Sequence, residues 1–144
     1  MTERTLFMVK PDAIAKGALG GVLALIREGG LVPIAGRLTR LGPAEAERFY
    51  AVHRERPFFR DLVAFMSSGP IFVGVLEGEN AIARWRELMG PTDATKAPKG
   101  TVRGEFGTDV EQNAVHGSDA PETARAEIAF FFRGIELPGA TAVP

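Results

Sequence analysis

Apolar residues recur along the chain in two alternating patterns, short continuous runs and faces with helical spacing. The continuous runs over residues 6–9 and 71–76 are typical of buried strands. Weaker alternation over residues 31–41 and a short apolar stretch at residues 113–116 predict two further strands. Strands that alternate with helices indicate an α/β or α+β fold rather than an all-α or all-β fold.

The segments between these strands carry helical signals. We predict helices over residues 19–28, from Pro43 onwards, and over residues 58–67, 79–89 and 121–132. Residues 90–103 contain several Pro and Gly residues and no clean period, so they are predicted to form a long loop. Residues 134–144 are predicted to form an irregular tail.

Length and composition narrow the class of protein. The chain has 144 residues, 45% of them hydrophobic, and a formal net charge of −1, which is typical of one ordinary globular domain spanning residues 1–144. A polybasic nucleic-acid binder and an acidic disordered chain are disfavoured. The absence of cysteine excludes disulfides and thiolate chemistry. No secretory signal or membrane-length apolar run is present, so we expect a cytoplasmic protein without a membrane partner.

Two segments carry reactive groups near aromatic residues or strand ends. Lys10 follows an apolar strand, a position where α/β folds place functional side chains, although a solvated lysine at an element boundary would look the same. Phe58 and Phe59 follow a charged run, and an aromatic ring beside basic groups suits a nucleobase. The alternative is that at least one of the two rings belongs to the core.

A third segment is locally basic. Residues 84–103 hold five basic and two acidic side chains, whereas residues 104–127 hold one basic and six acidic side chains. Arginine binds phosphate through paired N–H groups, so this segment suits a small polyanion, although a solvated surface loop could have the same composition.

The fourth segment contains His116 between a predicted strand and Gly117. Glycine leaves room beside the imidazole for a ligand, and Ser118 or Asp119 could cap the following helix. A histidine in such a place can act as acid, base or nucleophile, or can be a hydrogen-bonded core residue. His53, the only other histidine, lies in the charged run and is interpreted as ordinary surface.

Several short motifs occur together in a recognisable order. They include Lys10-Pro11-Asp12-Ala13, Arg56-Pro57-Phe58-Phe59, Ser68-Gly69-Pro70, Gly90-Pro91-Thr92, Asn113-Ala114-Val115-His116-Gly117-Ser118-Asp119 and Glu127-Ile128. Through this ordered set the chain resembles the nucleoside diphosphate kinases from residue 3 to about residue 132.

The resemblance implies a ferredoxin-like sandwich, in which helices cover a four-stranded antiparallel sheet. It implies transfer of the γ-phosphoryl group from a nucleoside triphosphate to a nucleoside diphosphate, by a ping-pong reaction through a phosphohistidine at His116. Mg²⁺ would bridge the nucleotide phosphates and need no metal site in the protein. The chain would form a homo-oligomer, either a tetramer or a hexamer.

The resemblance also implies a role for the residues around the histidine. Glu127 and Ser118 are similar to the groups that orient and support the ring, and Tyr50 matches a tyrosine beside the catalytic centre. Lys10 is similar to the lysine that reaches the sugar 3′-hydroxyl and the transferred phosphoryl group. Asn113 is similar to the amide that holds the same hydroxyl.

The remaining matched positions concern the nucleotide itself. Phe58 falls where the base stacks, and Val110 falls where the other face of the base is covered. Arg86, Thr92 and Arg103 match the phosphate-binding set. Stacking does not read base identity, so we predict broad nucleotide specificity.

Two other functions compete with this interpretation. A regulatory module on the same fold would bind nucleotides without turnover, which the intact Lys10, His116 and Glu127 argue against. A nucleic-acid-binding protein would use the basic segment and Phe58 on a strand, and we expect nucleic acid not to be the main partner.

Overall fold

The computed structural model describes residues 2–138, which form a four-stranded sheet with helices packed on both faces. The strands are β1 (Thr2–Val9), β2 (Val32–Thr39), β3 (Ile71–Glu79) and β4 (Val115–Gly117). The helices are α1 (Pro11–Ala15), α2 (Leu19–Glu28), α3 (Pro43–Phe49), α4 (Phe59–Met66), α5 (Ala81–Met89), α6 (Val102–Phe106) and α7 (Pro121–Phe131). The strand order is β2-β3-β1-β4. Every pairing is antiparallel, as the resemblance implies.

The central strand β1 explains why its sequence is continuously apolar. Side chains alternate between the two faces of a strand, and both faces of β1 are covered. Phe7 and Val9 pack in a core with residues of α2 and α5, whereas Leu6 and Met8 pack in a second core with residues of α3, α4 and α7. Burial on both sides leaves no place for a polar residue in the run from Leu6 to Val9.

The predicted elements agree with the structure except at a few positions. Helix α2 has the predicted bounds, but the helix predicted from residue 79 begins at Ala81, because Glu79 still pairs with Thr2 at the end of β3. The predicted loop over residues 90–103 contains a 3-10 turn at Ala94–Lys96 and the start of α6. Helix α1 was not predicted. Both α1 and α6 have five residues, too few to establish a helical period.

The ends of the described region add two details. A 3-10 turn at Gly134–Glu136 lies in the segment predicted to be irregular, and residues 139–144 of that segment lie outside the described residues. Within residues 2–138, no helix has the length and apolar character needed to cross a membrane.

The antiparallel pairing of β1 with β4 positions the candidate chemistry. Met8 lies opposite His116 in the register, and the backbone N–H of Lys10 donates to the carbonyl oxygen of Ala114 at 2.8 Å. The end of β1 and the start of β4 are therefore adjacent, although more than 100 residues separate them along the chain.

Candidate active site

His116 lies on β4 and is oriented by a carboxylate from α7. Its Nε2 lies 2.9 Å from Oε1 of Glu127, and the Ser118 hydroxyl donates to the same oxygen at 2.8 Å. A carboxylate oxygen accepts hydrogen bonds, so in the neutral ring Nε2 carries the hydrogen and Nδ1 keeps its lone pair. Ser118 is itself fixed, since the backbone N–H of Leu6 donates to its hydroxyl oxygen at 3.3 Å.

Aromatic rings enclose part of the imidazole. The ring of Phe49 meets His116 edge-on with centroids 5.4 Å apart, and Tyr50 does so at 6.1 Å. Burial, together with the charge of Glu127, raises the pKa of the Tyr50 phenol, so it stays protonated. Its buried hydroxyl has no hydrogen-bond partner among the described residues, which leaves one donor free next to the histidine.

Lys10 is buried rather than solvated, so the boundary alternative is wrong for this residue. Its Nζ donates to Oδ1 of Asn113 at 2.8 Å. Burial lowers the pKa of Lys10 to about 8, helped by the nearby charge of Arg103 and opposed by Asp12 and Glu111. The ammonium group is therefore still mainly protonated at neutral pH, although it is close to losing its proton.

Asn113 is held from both ends of its amide. The Nδ2 group donates to the backbone carbonyl oxygens of Thr92 at 3.0 Å and Val110 at 3.2 Å. The side-chain oxygen faces Lys10, as described above. Asn113 thus joins the β1 end to two loops that carry predicted nucleotide-binding residues.

Arg103 clamps the backbone at the start of β4. Its guanidinium donates to the carbonyl oxygens of Asn113 at 3.2 Å, Gly90 at 2.9 Å and Val115 at 3.0 Å. Burial lowers the pKa of Arg103 to about 10, with a further contribution from Arg86, so the group remains charged at neutral pH. Three of its five N–H groups are used, and two remain for an anion.

Trp85 and Gly117 complete the surroundings of the histidine backbone. The indole Nε1 donates to the carbonyl oxygen of His116 at 3.2 Å. A Cβ on Gly117 would lie 2.5 Å from Cδ1 of Trp85. The space left by the missing side chain of Gly117 is therefore filled by the tryptophan rather than by a ligand, and glycine is required here by close packing. The sequence places Trp85 only within the helix predicted over residues 79–89 and gives no sign of its bond to the histidine strand.

The helix after the histidine is capped differently from the prediction. Its N-cap is Ala120, and neither Ser118 nor Asp119 caps it. The Ser118 hydroxyl donates to Glu127, and Asp119 Oδ1 accepts from the hydroxyl of Thr123 at 2.7 Å. The hydroxyl at position 118 therefore serves the imidazole site instead of the helix end.

The two residues predicted to contact the base are more exposed. Phe58 is 43% exposed and Val110 is 61% exposed, whereas Phe59 packs against the core, as predicted for one residue of that pair. His53 is not isolated surface, because its ring lies 5.5 Å from that of Phe58 and 6.5 Å from that of Tyr50. No hydrogen bond or ring contact in the described residues joins Phe58 or Val110 to His116.

The basic segment divides into two groups. Arg86 and Thr92 are exposed, and Arg86 lies close enough to Arg103 to lower its pKa. Arg84 turns away, since its guanidinium donates to the backbone carbonyls of Gly29 and Glu79. Arg86 also lines a separate cavity of about 700 Å³, to which neither His116 nor Lys10 contributes.

Comparison with known proteins identifies the family of the chain. The family model for nucleoside diphosphate kinase matches residues 3–137. The chain is similar to the nucleoside diphosphate kinase of Nitrosomonas eutropha, with 58% identity over 95% of this chain and 97% of that protein. It is also similar to that of Bordetella avium, with 59% identity over 94% and 96% of the two chains.

Solved structures extend the similarity to the fold. The nucleoside diphosphate kinase of Aquifex aeolicus superposes with a TM-score of 0.93 at 51% identity, covering 95% of this chain and 99% of that one. The halophilic enzyme of Halobacterium salinarum in complex with CDP superposes with a TM-score of 0.90 at 39% identity, covering 100% of this chain and 99% of that one. The ferredoxin-like fold is thereby confirmed, and nothing in these comparisons supports a module without turnover. On these matches, the chain belongs to the nucleoside diphosphate kinase family and is a phosphotransferase that acts on nucleotides.

Proposed function

We propose that His116 is the residue through which this enzyme transfers the γ-phosphoryl group. Nδ1 attacks the γ-phosphorus of a nucleoside triphosphate and an N–P bond forms. The bond between the γ-phosphorus and the oxygen that bridges it to the β-phosphorus breaks, and the nucleoside diphosphate leaves with that oxygen. A terminal phosphate oxygen of a second diphosphate then takes the group from Nδ1 and restores the histidine. The observation that carries this proposal is the 2.9 Å contact between Nε2 and Glu127, which leaves Nδ1 as the free nitrogen.

Glu127 and Ser118 support this role as positioning residues. When Nδ1 bonds to phosphorus, the imidazole gains positive charge, and the carboxylate beside Nε2 stabilises that charge. The Ser118 hydroxyl donates to the same carboxylate oxygen and so restricts its rotation. The ring therefore needs little reorganisation during the reaction.

Lys10, Tyr50 and Asn113 form the set that meets the reacting phosphoryl group and the sugar. The Lys10 ammonium neutralises developing negative charge, and the unpartnered hydroxyl of Tyr50 supplies a further donor. Asn113 holds the lysine by its 2.8 Å bond and is in place to share a sugar hydroxyl with it.

The substrate in this proposal is the Mg²⁺ complex of the nucleotide. Within residues 2–138, no cluster of three His, Asp or Glu side chains could hold a metal ion. Arg86, Thr92 and Arg103 instead offer cationic and hydroxyl groups, which suit phosphates whose oxygens carry the metal. Bound Mg²⁺ neutralises charge on the phosphates, while the protein groups orient them.

Phe58 and Val110 are proposed to lie on either side of the base. Both are exposed apolar side chains, and a flat ring offers the same stacking surface to every base. We therefore propose that the enzyme accepts purine and pyrimidine nucleotides alike.

Labelling with γ-³²P ATP tests the central proposal. Wild-type protein is expected to give an acid-labile phosphoprotein that passes its label to an added diphosphate, and His116→Ala is expected to lose both reactions completely. His53→Ala removes the only other histidine and is the matched control, expected to keep its label. Label that persists in His116→Ala would overturn the assignment.

We also propose that residues 1–144 act as one domain, that the protein works in the cytoplasm and that it forms a homo-tetramer or homo-hexamer. Strand β2 supports self-association, because it lies at the sheet edge and exposes Val32 and Leu38. Exposed apolar edge strands favour pairing with another chain. Light scattering separates a tetramer from a hexamer by mass.

A further inference from the structure

Ala114 has an unusual backbone conformation directly before the histidine strand. Its φ is +72°, a region that residues with a side chain rarely adopt. The backbone N–H of Val115 donates to the carbonyl oxygen of Asn113 at 2.8 Å, so the three residues form a γ-turn. A γ-turn with positive φ is strained, and such strain persists only where surrounding contacts impose it.

Two sets of contacts hold the turn. Arg103 donates to the carbonyl oxygens of its first and last residues, Asn113 and Val115, and the junction of β1 and α1 supplies the contacts to Ala114 itself. The backbone N–H of Ala114 donates to Oδ2 of Asp12 at 3.1 Å, and its carbonyl oxygen accepts from the N–H of Lys10 at 2.8 Å. Ala114 is fully buried and Asp12 is only 8% exposed, so water does not replace either bond. Asp12 has no role in the phosphotransfer steps described above.

The turn connects two residues of the proposed site. Asn113, which precedes it, carries the amide that holds the Lys10 ammonium, and His116 follows two residues later. A relaxed conformation at Ala114 would rotate the peptide planes that connect these residues. Small displacements of reacting groups slow a reaction by large factors, because phosphoryl transfer depends on alignment.

We infer that Asp12 is a positioning residue for the phosphotransfer, whose carboxylate holds the Ala114 turn and thereby aligns Asn113 and His116. The inference rests on the proposed roles of those two residues. A competing account is that Asp12 acts only through its charge on Lys10, which lies nearby. If Asp12 acts by holding the turn, an uncharged hydrogen-bond acceptor at position 12 or a glycine at position 114 would preserve the rate. If Asp12 acts through its charge, neither change would do so.

Four variants separate these accounts. Asp12→Asn keeps an oxygen acceptor and loses the charge, whereas Asp12→Ala loses both. Ala114→Gly removes the strain, since glycine adopts positive φ readily, and it is made alone and combined with Asp12→Ala. Glu45→Ala is the control, because Glu45 also accepts from a backbone N–H, that of Gly42 at 2.8 Å, on an exposed helix start.

The measurements are the single-turnover rate of phosphohistidine formation and the KM for a nucleoside diphosphate. Asp12→Ala is expected to slow phosphorylation about 100-fold, with a KM change within about threefold. Asp12→Asn and Ala114→Gly should stay within about fivefold of wild type, and Glu45→Ala within about twofold. Adding Ala114→Gly to Asp12→Ala should raise the rate of phosphohistidine formation at least about tenfold above that of Asp12→Ala, because the turn then no longer needs the carboxylate.

Each other outcome has a definite meaning. Equal losses in Asp12→Asn and Asp12→Ala would overturn the inference in favour of charge, and so would the absence of recovery with Ala114→Gly. If Asp12→Ala does not fold, a 100-fold loss in the folded Asp12→Asn protein would overturn it and a near-normal rate would support it. Failure of wild type to form phosphohistidine would instead contradict the proposed function.

Discussion

The proposed phosphoryl end and the proposed base end of the site are built in opposite ways. Around His116 and Lys10, buried and half-buried side chains are joined to one another and to the backbone by short hydrogen bonds. Around Phe58 and Val110, apolar side chains are exposed and joined to the site by few contacts. The difference separates two tasks, because chemistry requires fixed alignment, whereas acceptance of different bases requires a surface that imposes little.

Among changes that compare the two ends, the largest effect is expected from removing the Glu127 carboxylate at the phosphoryl end. Glu127→Ala removes the acceptor that keeps the hydrogen on Nε2, so the ring can rotate or present the wrong tautomer. The rate of phosphohistidine formation should fall about 100-fold. Glu127→Gln keeps an oxygen that accepts from Nε2–H, so its rate of phosphohistidine formation should fall only about tenfold. An unchanged rate in Glu127→Ala would show that the imidazole needs no such partner.

A smaller effect is expected from titrating Lys10. Its pKa of about 8 places the loss of the ammonium just above neutral pH. Because kcat/KM reports the free enzyme, it should fall about tenfold per pH unit above pH 8. Lys10→Arg keeps a positive charge over this range and should flatten the decline. The same alkaline decline in Lys10→Arg would assign it to another group.

The pH dependence of stability tests the lowered pKa of Lys10 independently of activity. The folded pKa lies below the ordinary value of 10.5, so between pH 8 and pH 10.5 the unfolded chain binds more protons at this position. The free energy of unfolding of wild type, relative to Lys10→Met, should therefore rise with pH through this window. A fall would contradict the lowered pKa.

The smallest effect is expected at the open end. Phe58→Ala removes the proposed stacking surface, so the KM for nucleotides should rise about fivefold while kcat stays nearly constant. The unfolding temperature should change little, since Phe58 is 43% exposed. Phe58→Tyr keeps the ring and is the control. A large loss of kcat would mean that the base end also aligns the phosphates, which would remove the contrast between the two ends.

The sequence predicted the fold better than it predicted the site. Long patterns such as β1 and α2 follow from burial on defined faces, whereas the five-residue helices α1 and α6 leave no periodic signal. The predicted roles of Lys10 and Glu127 rest on the resemblance to a family, because local composition does not show which distant strands pair. The turn at Ala114 could not be predicted at all, since alanine carries no signal for positive φ and the cause lies in Asp12, 102 residues away.

The two edges of the sheet also differ in what another strand could do there. The outer side of β4 is occupied by Arg103, whose guanidinium takes up the carbonyl oxygens of Asn113 and Val115, so strand addition at this edge would have to displace it. In residues 2–138, no side chain hydrogen-bonds to the backbone of β2, and the side chain of its own Arg37 instead reaches the carbonyl oxygen of Phe131 at the end of α7. Three strand spacings of about 4.8 Å separate these edges. Growth of an assembly through β2 would thus leave β4, the strand of the proposed nucleophile, undisturbed. The contacts of Arg103 also protect the edge of β4 from pairing with strands of other chains in an aggregate.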